Sequence, residues 1–163
     1  DVNVALTAEV IKAGVMHKGT SIIEVLQNCV IFADGAHAAV TDKDVKEDRQ
    51  LVLHHGEPMI FGKNKDKGIV LDHGLLKVVE IGKDGITEDD ILIHDAHAED
   101  PSIHWMLVHM KAPDFPVALG VIRDVQAKTY DQALDDQIVE VKATSKIRCM
   151  NDLLNSGDTW EVK

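Results

Sequence analysis

Residues 20–27, TSIIEVLQ, constrain the fold more than any other stretch of this sequence. The run is short, β-branched and almost continuously apolar. That is the pattern of a strand buried on both faces of a parallel sheet. Residues 6–19, LTAEVIKAGVMHKG, lead directly into it and read as a helix. Thr7 is placed to cap the N-terminus, Val10, Ile11 and Val15 fall near one face, and Gly19 can close the C-terminus. A helix feeding a buried strand is half of a β-α-β unit, so an α/β fold with a parallel sheet is expected. The earlier strands of that sheet are not in the sequence, and the chain starts at Asp1 with no initiator methionine. Both features point to a piece of a longer polypeptide.

Extended and helical patterns alternate further on. Residues 41–50, TDKDVKEDRQ, form a charged, exposed break that separates the first 40 residues from the rest. Residues 68–82 read as a hairpin around His73-Gly74. Residues 82–90, GKDGITEDD, carry an Asp-Gly turn and then Thr87 with three acidic residues, the start of a single helical turn. ILIHD (91–95) and FPVALGVIRDV (115–125) read as strands. PSIHWMLVHMK (101–111) reads as a helix with Pro101 in its first turn, and TYDQALDDQIVEVK (129–142) as one capped by Thr129. The tail, 150–163, ends in a turn and a short extended piece.

Charge narrows the function classes. The 163 residues carry a formal net charge of -11, which argues against a nucleic-acid surface. No apolar run is long enough to span a bilayer, and no signal peptide is visible. Only two cysteines occur, Cys29 and Cys149, so this is no disulfide framework. A reducing cytoplasm fits that usage.

Cys29 stands just past the expected strand, where ligands gather in open parallel sheets. A free cysteine is more often a small buried hydrophobe, and one thiolate is not by itself a metal site. His94, Asp95, His97, Glu99 and Asp100 crowd HDAHAED, and His54, His55 and Glu57 crowd HHGEPM. Zinc or iron takes such ligands, but a strand end running into a loop makes these side chains diverge. His104 and His109, five apart on a helix, do not share a face. Arg123 suits a carboxylate or phosphate, or equally an ion pair with Asp124. Cys149 lies in a polar tail beside Arg148. Dinucleotide, P-loop, nucleophile-elbow and EF-hand signatures are missing.

The order of several longer blocks is more specific. HKGTSIIEVLQNCVIFADGA contains a helix end, a strand and Q-x-C-x-x-F-x-D-G. HGEPMIFG, KGIVLD, GITEDDILIHDAH, PDFPVALGVIRDV, TYDQALDDQI and LLNSGDTWEVK follow in turn. This series, covering nearly the whole chain, resembles the β subunits of 2-oxoacid:ferredoxin oxidoreductases, most closely those of the 2-oxoglutarate type.

The resemblance implies the C-terminal part of a thiamine-diphosphate-binding-type parallel-sheet fold with a C-terminal α/β extension. Residues 1–40 would end the thiamine-diphosphate-binding-type domain and 41–163 would form the extension. It implies oxidative decarboxylation of a 2-oxoacid to acyl-CoA, with electrons leaving through a [4Fe–4S] cluster to ferredoxin. The α subunit, ferredoxin, coenzyme A and the 2-oxoacid are the implied partners, without nucleic acid or membrane. By motif match Cys29 corresponds to the fourth cluster ligand, and backbone around residues 27–31 would supply hydrogen bonds and burial to it. The family often has Pro where this chain has Asn28. The Gly-Asp-Gly motif for thiamine diphosphate and Mg²⁺, the downstream Asn and the other cysteines are not recognisable here, so no catalytic or thiamine-binding residue is assigned. A non-catalytic interaction module with the same fold, and a pyruvate or branched-chain enzyme, are the alternatives.

Overall fold

Residues 3–162 are described by the computed structural model; Asp1, Val2 and Lys163 lie outside them. Helix α1 (Val4–Met16) starts one turn earlier than expected. The Asn3 side chain accepts from the Leu6 N–H at 3.1 Å and caps it, while Thr7 instead donates its hydroxyl to the Asn3 carbonyl. The helix stops at His17, and Gly19 follows at φ +122°.

The buried strand expected at 20–27 does not form. Residues 20–28 take no regular secondary structure, and Ile22 is 93% exposed. A parallel strand draws its order from neighbours that accept and donate along both edges. No strand among the described residues pairs with this run. The charged break at 41–50 follows one single turn, α2 (Ala38–Thr41), and coils into another, α3 (Lys46–Arg49).

Parallel pairing occurs further along, in a mixed α/β arrangement. Strand β1 (Gln50–Leu53) pairs with β5 (Val117–Gly120) in register from Gln50↔Val117 to Leu53↔Gly120. A separate antiparallel sheet has the order β2 (Ile60–Phe61), β3 (Lys67–Asp72), β4 (Leu75–Glu80). The β3–β4 hairpin turns on His73 and Gly74 at φ +49° and +83°, the left-handed pair that matches strand twist. Thr87 then opens a 3₁₀ turn (Glu88–Asp90), its N–H bound by the Asp90 carboxylate at 2.8 Å.

Segment 91–95 is extended, but it makes only a single bridge, Pro58↔Ile93. Its Leu92 N–H donates to the Ile69 carbonyl and its His94 N–H to that of Glu57, so it threads between β3 and the segment leaving β1. Helix α4 (Ser102–Val108) follows Pro101 as expected. Leu51, Leu53, Met59, Phe61, Ile69, Leu76, Ile91, Leu107 and Met110 form the core. Full burial of such side chains contributes about 1.5–3 kcal/mol each.

Strand β5 is shorter than the eleven-residue run suggests because Gly120 leaves it at φ +107°. The chain divides into two compact units, one running to Gln126 and one starting at Ala127. The second holds α5 (Tyr130–Thr144), whose first turn is preceded by Thr129 as expected, and α6 (Met150–Leu154).

Gly120 is irreplaceable on two counts. Its φ is left-handed, and a Cβ there would sit 2.7 Å from the Leu53 carbonyl oxygen. Gly120→Ala should cost about 3 kcal/mol, read from chemical denaturation. A loss below about 0.5 kcal/mol, the size of an ordinary surface change, would mean that β1 and β5 do not meet this closely.

Candidate functional site

Cys29 occupies an exposed turn rather than the end of a strand. Its carbonyl accepts from the Ala33 N–H at 2.9 Å, the bond that closes the turn. The backbone N–H of Phe32, then that of Ile31 and to a lesser extent that of Ala33, hydrogen-bond the thiol and hold it below its ordinary value. Hydrogen bonds to a sulfur anion favour the anion. Of the expected stretch 27–31 only Ile31 takes part, Phe32 and Ala33 lie just beyond it, and the thiol is exposed.

A thiolate supported by backbone N–H groups is the donor type that an iron–sulfur cluster takes, so the residue fits as one ligand. It is one ligand only: no group of three or more His, Cys, Asp or Glu side chains converges among the described residues. Cys149 belongs to the other compact unit, where its N–H and that of Arg148 bind the Asp152 carboxylate at the start of α6. No Gly-Asp-Gly stretch is present to hold a thiamine diphosphate.

Sequence reasoning missed what shapes the turn. The Asn28 amide nitrogen donates to Asp34 Oδ1 at 3.0 Å, and its oxygen accepts from the Gly35 N–H at 2.9 Å. An Asn followed six residues later by Asp-Gly was the available signal, since Asn side chains readily close turns on nearby backbone.

His54, His55 and His97 gather at the carboxyl ends of β1 and β5. There a pocket of about 230 Å³ is bounded by α1 on one side and by His54, His55, His97 and Asp124 on the other. The carboxyl ends of parallel strands are where open α/β sheets leave a crevice. His97 Nδ1–H donates to the Asp124 carbonyl at 2.6 Å, and its ring lies 4.3 Å from that of His55. The Asp124 carboxylate reaches His17 Nδ1 at 2.7 Å, which ties the end of α1 to the chain leaving β5.

The HDAHAED side chains do diverge. His94 is buried and its Nε2–H donates to the Val121 carbonyl at 2.9 Å, whereas His97 turns toward Asp124. Arg123 does not make the expected ion pair with Asp124. It donates to the Ala98 and Glu99 carbonyls and to His104 Nδ1. Three acceptors presented by the folded-back 95–104 segment satisfy its fork better than one exposed carboxylate. His104 is buried, with Nε2 donating to the Asp95 carbonyl, while His109 is exposed against Trp105. No helix among the described residues is long and apolar enough to cross a membrane.

Comparison with known proteins gives one clear relation. The chain is 34% identical over 157 residues to the 2-oxoglutarate oxidoreductase subunit KorB of Mycobacterium tuberculosis. The alignment takes in 94% of this chain and 41% of that protein, so the chain spans well under half the length of its relative. No family model matches the chain, and no solved structure does. The resemblance to a 2-oxoacid oxidoreductase β subunit of the 2-oxoglutarate type is thereby borne out.

Burial pushes the His94 imidazole below its ordinary 6.5, against the opposing pull of the Val121 carbonyl, and its Nδ1 has no partner. The folded chain thus holds His94 neutral while the unfolded chain protonates it near pH 6.5. Its contribution to stability is complete above that pH and drains away as pH falls through the depressed native value. The denaturation midpoint should drop on acidification from about pH 7.5 to about 5.5. His94→Gln should flatten that dependence; an equally steep curve in the variant would assign the effect to other groups.

Proposed function

We propose, from this chain's homology to the 2-oxoglutarate oxidoreductase subunit KorB, that it is part of the β subunit of a 2-oxoacid:ferredoxin oxidoreductase. The substrate is 2-oxoglutarate, the acceptor of the acyl group is coenzyme A, and the electrons go to ferredoxin. The enzyme is cytoplasmic and works with an α subunit. Alignment along 94% of the chain is the observation that carries this reading. The geometry of the Cys29 turn supports it, because an exposed thiol with backbone donors suits one corner of a [4Fe–4S] cluster.

When bound, thiamine diphosphate with Mg²⁺ supplies the carbanion chemistry of decarboxylation and the cluster supplies one-electron transfer. Among this chain's residues, Cys29 would bind iron through Sγ. The N–H groups of Phe32, Ile31 and Ala33 would stabilise the sulfur's negative charge. The remaining three ligands and the thiamine site are assigned to the part of the β subunit that this chain does not span. The fold that holds them is then of the thiamine-diphosphate-binding type, with residues 1–40 at its end and 41–163 as the extension.

Two experiments test this. In the full-length protein with its α partner, Cys29→Ala should abolish the cluster, read as loss of iron, sulfide and visible absorbance, whereas Cys149→Ala should keep it. Retention of the cluster in the Cys29 variant would refute the assignment. In a panel with coenzyme A and ferredoxin or viologen, 2-oxoglutarate should be oxidised faster than pyruvate or branched-chain 2-oxoacids. Preference for pyruvate would move the enzyme to a sister specificity. A colourless, iron-free parent protein with no activity would identify an interaction module instead.

A further inference from the structure

Packing does not shape the turn that carries Cys29. Val30, Ile31 and Phe32 are 74%, 80% and 90% exposed, so no core holds residues 28–35 in place. Local hydrogen bonds do, among them three that span the turn. One runs from the Ala33 N–H to the Cys29 carbonyl, inside the turn. The other two come from a single carboxamide, Asn28, which donates to Asp34 Oδ1 and accepts from the Gly35 N–H. Gly35 takes φ +70°, a backbone state that glycine adopts without strain, and presents that N–H to Asn28. Donor and acceptor on one short planar group are specific to Asn at this reach. A carboxylate lacks the donor, and an apolar side chain lacks both.

The clasp spans the turn from the residue before the cysteine to the residues just after Ala33. It therefore encloses Ile31 and Phe32, whose backbone N–H groups hold the thiol below its ordinary value, and Ala33, whose N–H donates to the Cys29 carbonyl. Opening it would free both ends of the turn and let those donors rotate toward water.

We propose that Asn28 is a positioning residue for the cluster, its carboxamide closing the turn on Asp34 and Gly35 so that the N–H groups of residues 31–33 stay aimed at Cys29 Sγ. The proposal rests on the reading of Cys29 as a cluster ligand. Hydrogen bonds to cysteinyl sulfur favour the reduced cluster, so a loosened turn lowers the midpoint potential and eases iron loss.

The test uses the complete enzyme, full-length β subunit with its α partner, prepared without oxygen. Asn28→Ala should keep the cluster's visible band, shift its midpoint potential negative and release iron to a chelator about tenfold faster. Asn28→Asp should do the same, because two carboxylates then face each other across the turn. Asn28→Asp combined with Asp34→Asn exchanges donor and acceptor, and should return potential and iron release toward the parent values. A role in general stability alone would not restore the potential. An Asn28→Ala enzyme with parental potential and iron release overturns the proposal and leaves Cys29 as a ligand. If Asn28→Ala does not assemble, the exchanged pair decides: recovery supports the clasp and failure overturns it. Full iron content in Cys29→Ala would instead overturn the underlying reading.

Discussion

The parallel pairing of β1 with β5 is the contact on which the larger unit depends. Four residue pairs join segments more than 60 positions apart, so everything between them must leave the pair and return. The hairpin, the 3₁₀ turn, the extended 91–95 segment and α4 all lie in that excursion. Leu51 in β1 is fully buried, and the core residues after Leu53 come from the same excursion. Closing so long a loop costs entropy, and burial of this aliphatic set is the term able to offset it.

The same pairing sets where polar chemistry collects. Leu53 and Gly120 end their strands side by side, so the residues that follow each are delivered to one edge. His54 and His55 leave β1 there, and Val121 to Asp124 leave β5. Asp124 then engages two elements at once, its carbonyl accepting from His97 and its carboxylate meeting His17 at the end of α1. Arg123, facing the other way, fastens the 95–104 segment through backbone carbonyls and His104.

Cys29 belongs to a different physical regime. Its turn is exposed and held by local hydrogen bonds, with no contribution from the core. As the proposed cluster ligand it would keep its own geometry and leave its outer face open to the other proposed ligands. The formal charge of -11 bears on the proposed electron acceptor. Ferredoxins are themselves usually acidic, so attraction would have to come from a local surface or from the α subunit.

Local chemistry was legible in the sequence wherever a few neighbouring residues decide the outcome. His73-Gly74, Thr87 before its acidic turn, Pro101 ahead of α4 and Thr129 ahead of α5 all act through backbone angles or through hydrogen bonds within three residues. The order of its motifs also pointed to the kind of protein that the comparison shows it to resemble. The strand at 20–27 misled, because its apolar pattern requires neighbours on both edges and the described residues provide none. The real parallel pair, the neutral buried His94 and the use of Arg123 on carbonyls were decided by tertiary structure. Each depends on which distant groups a side chain or strand edge meets, and spacing along the chain does not encode that.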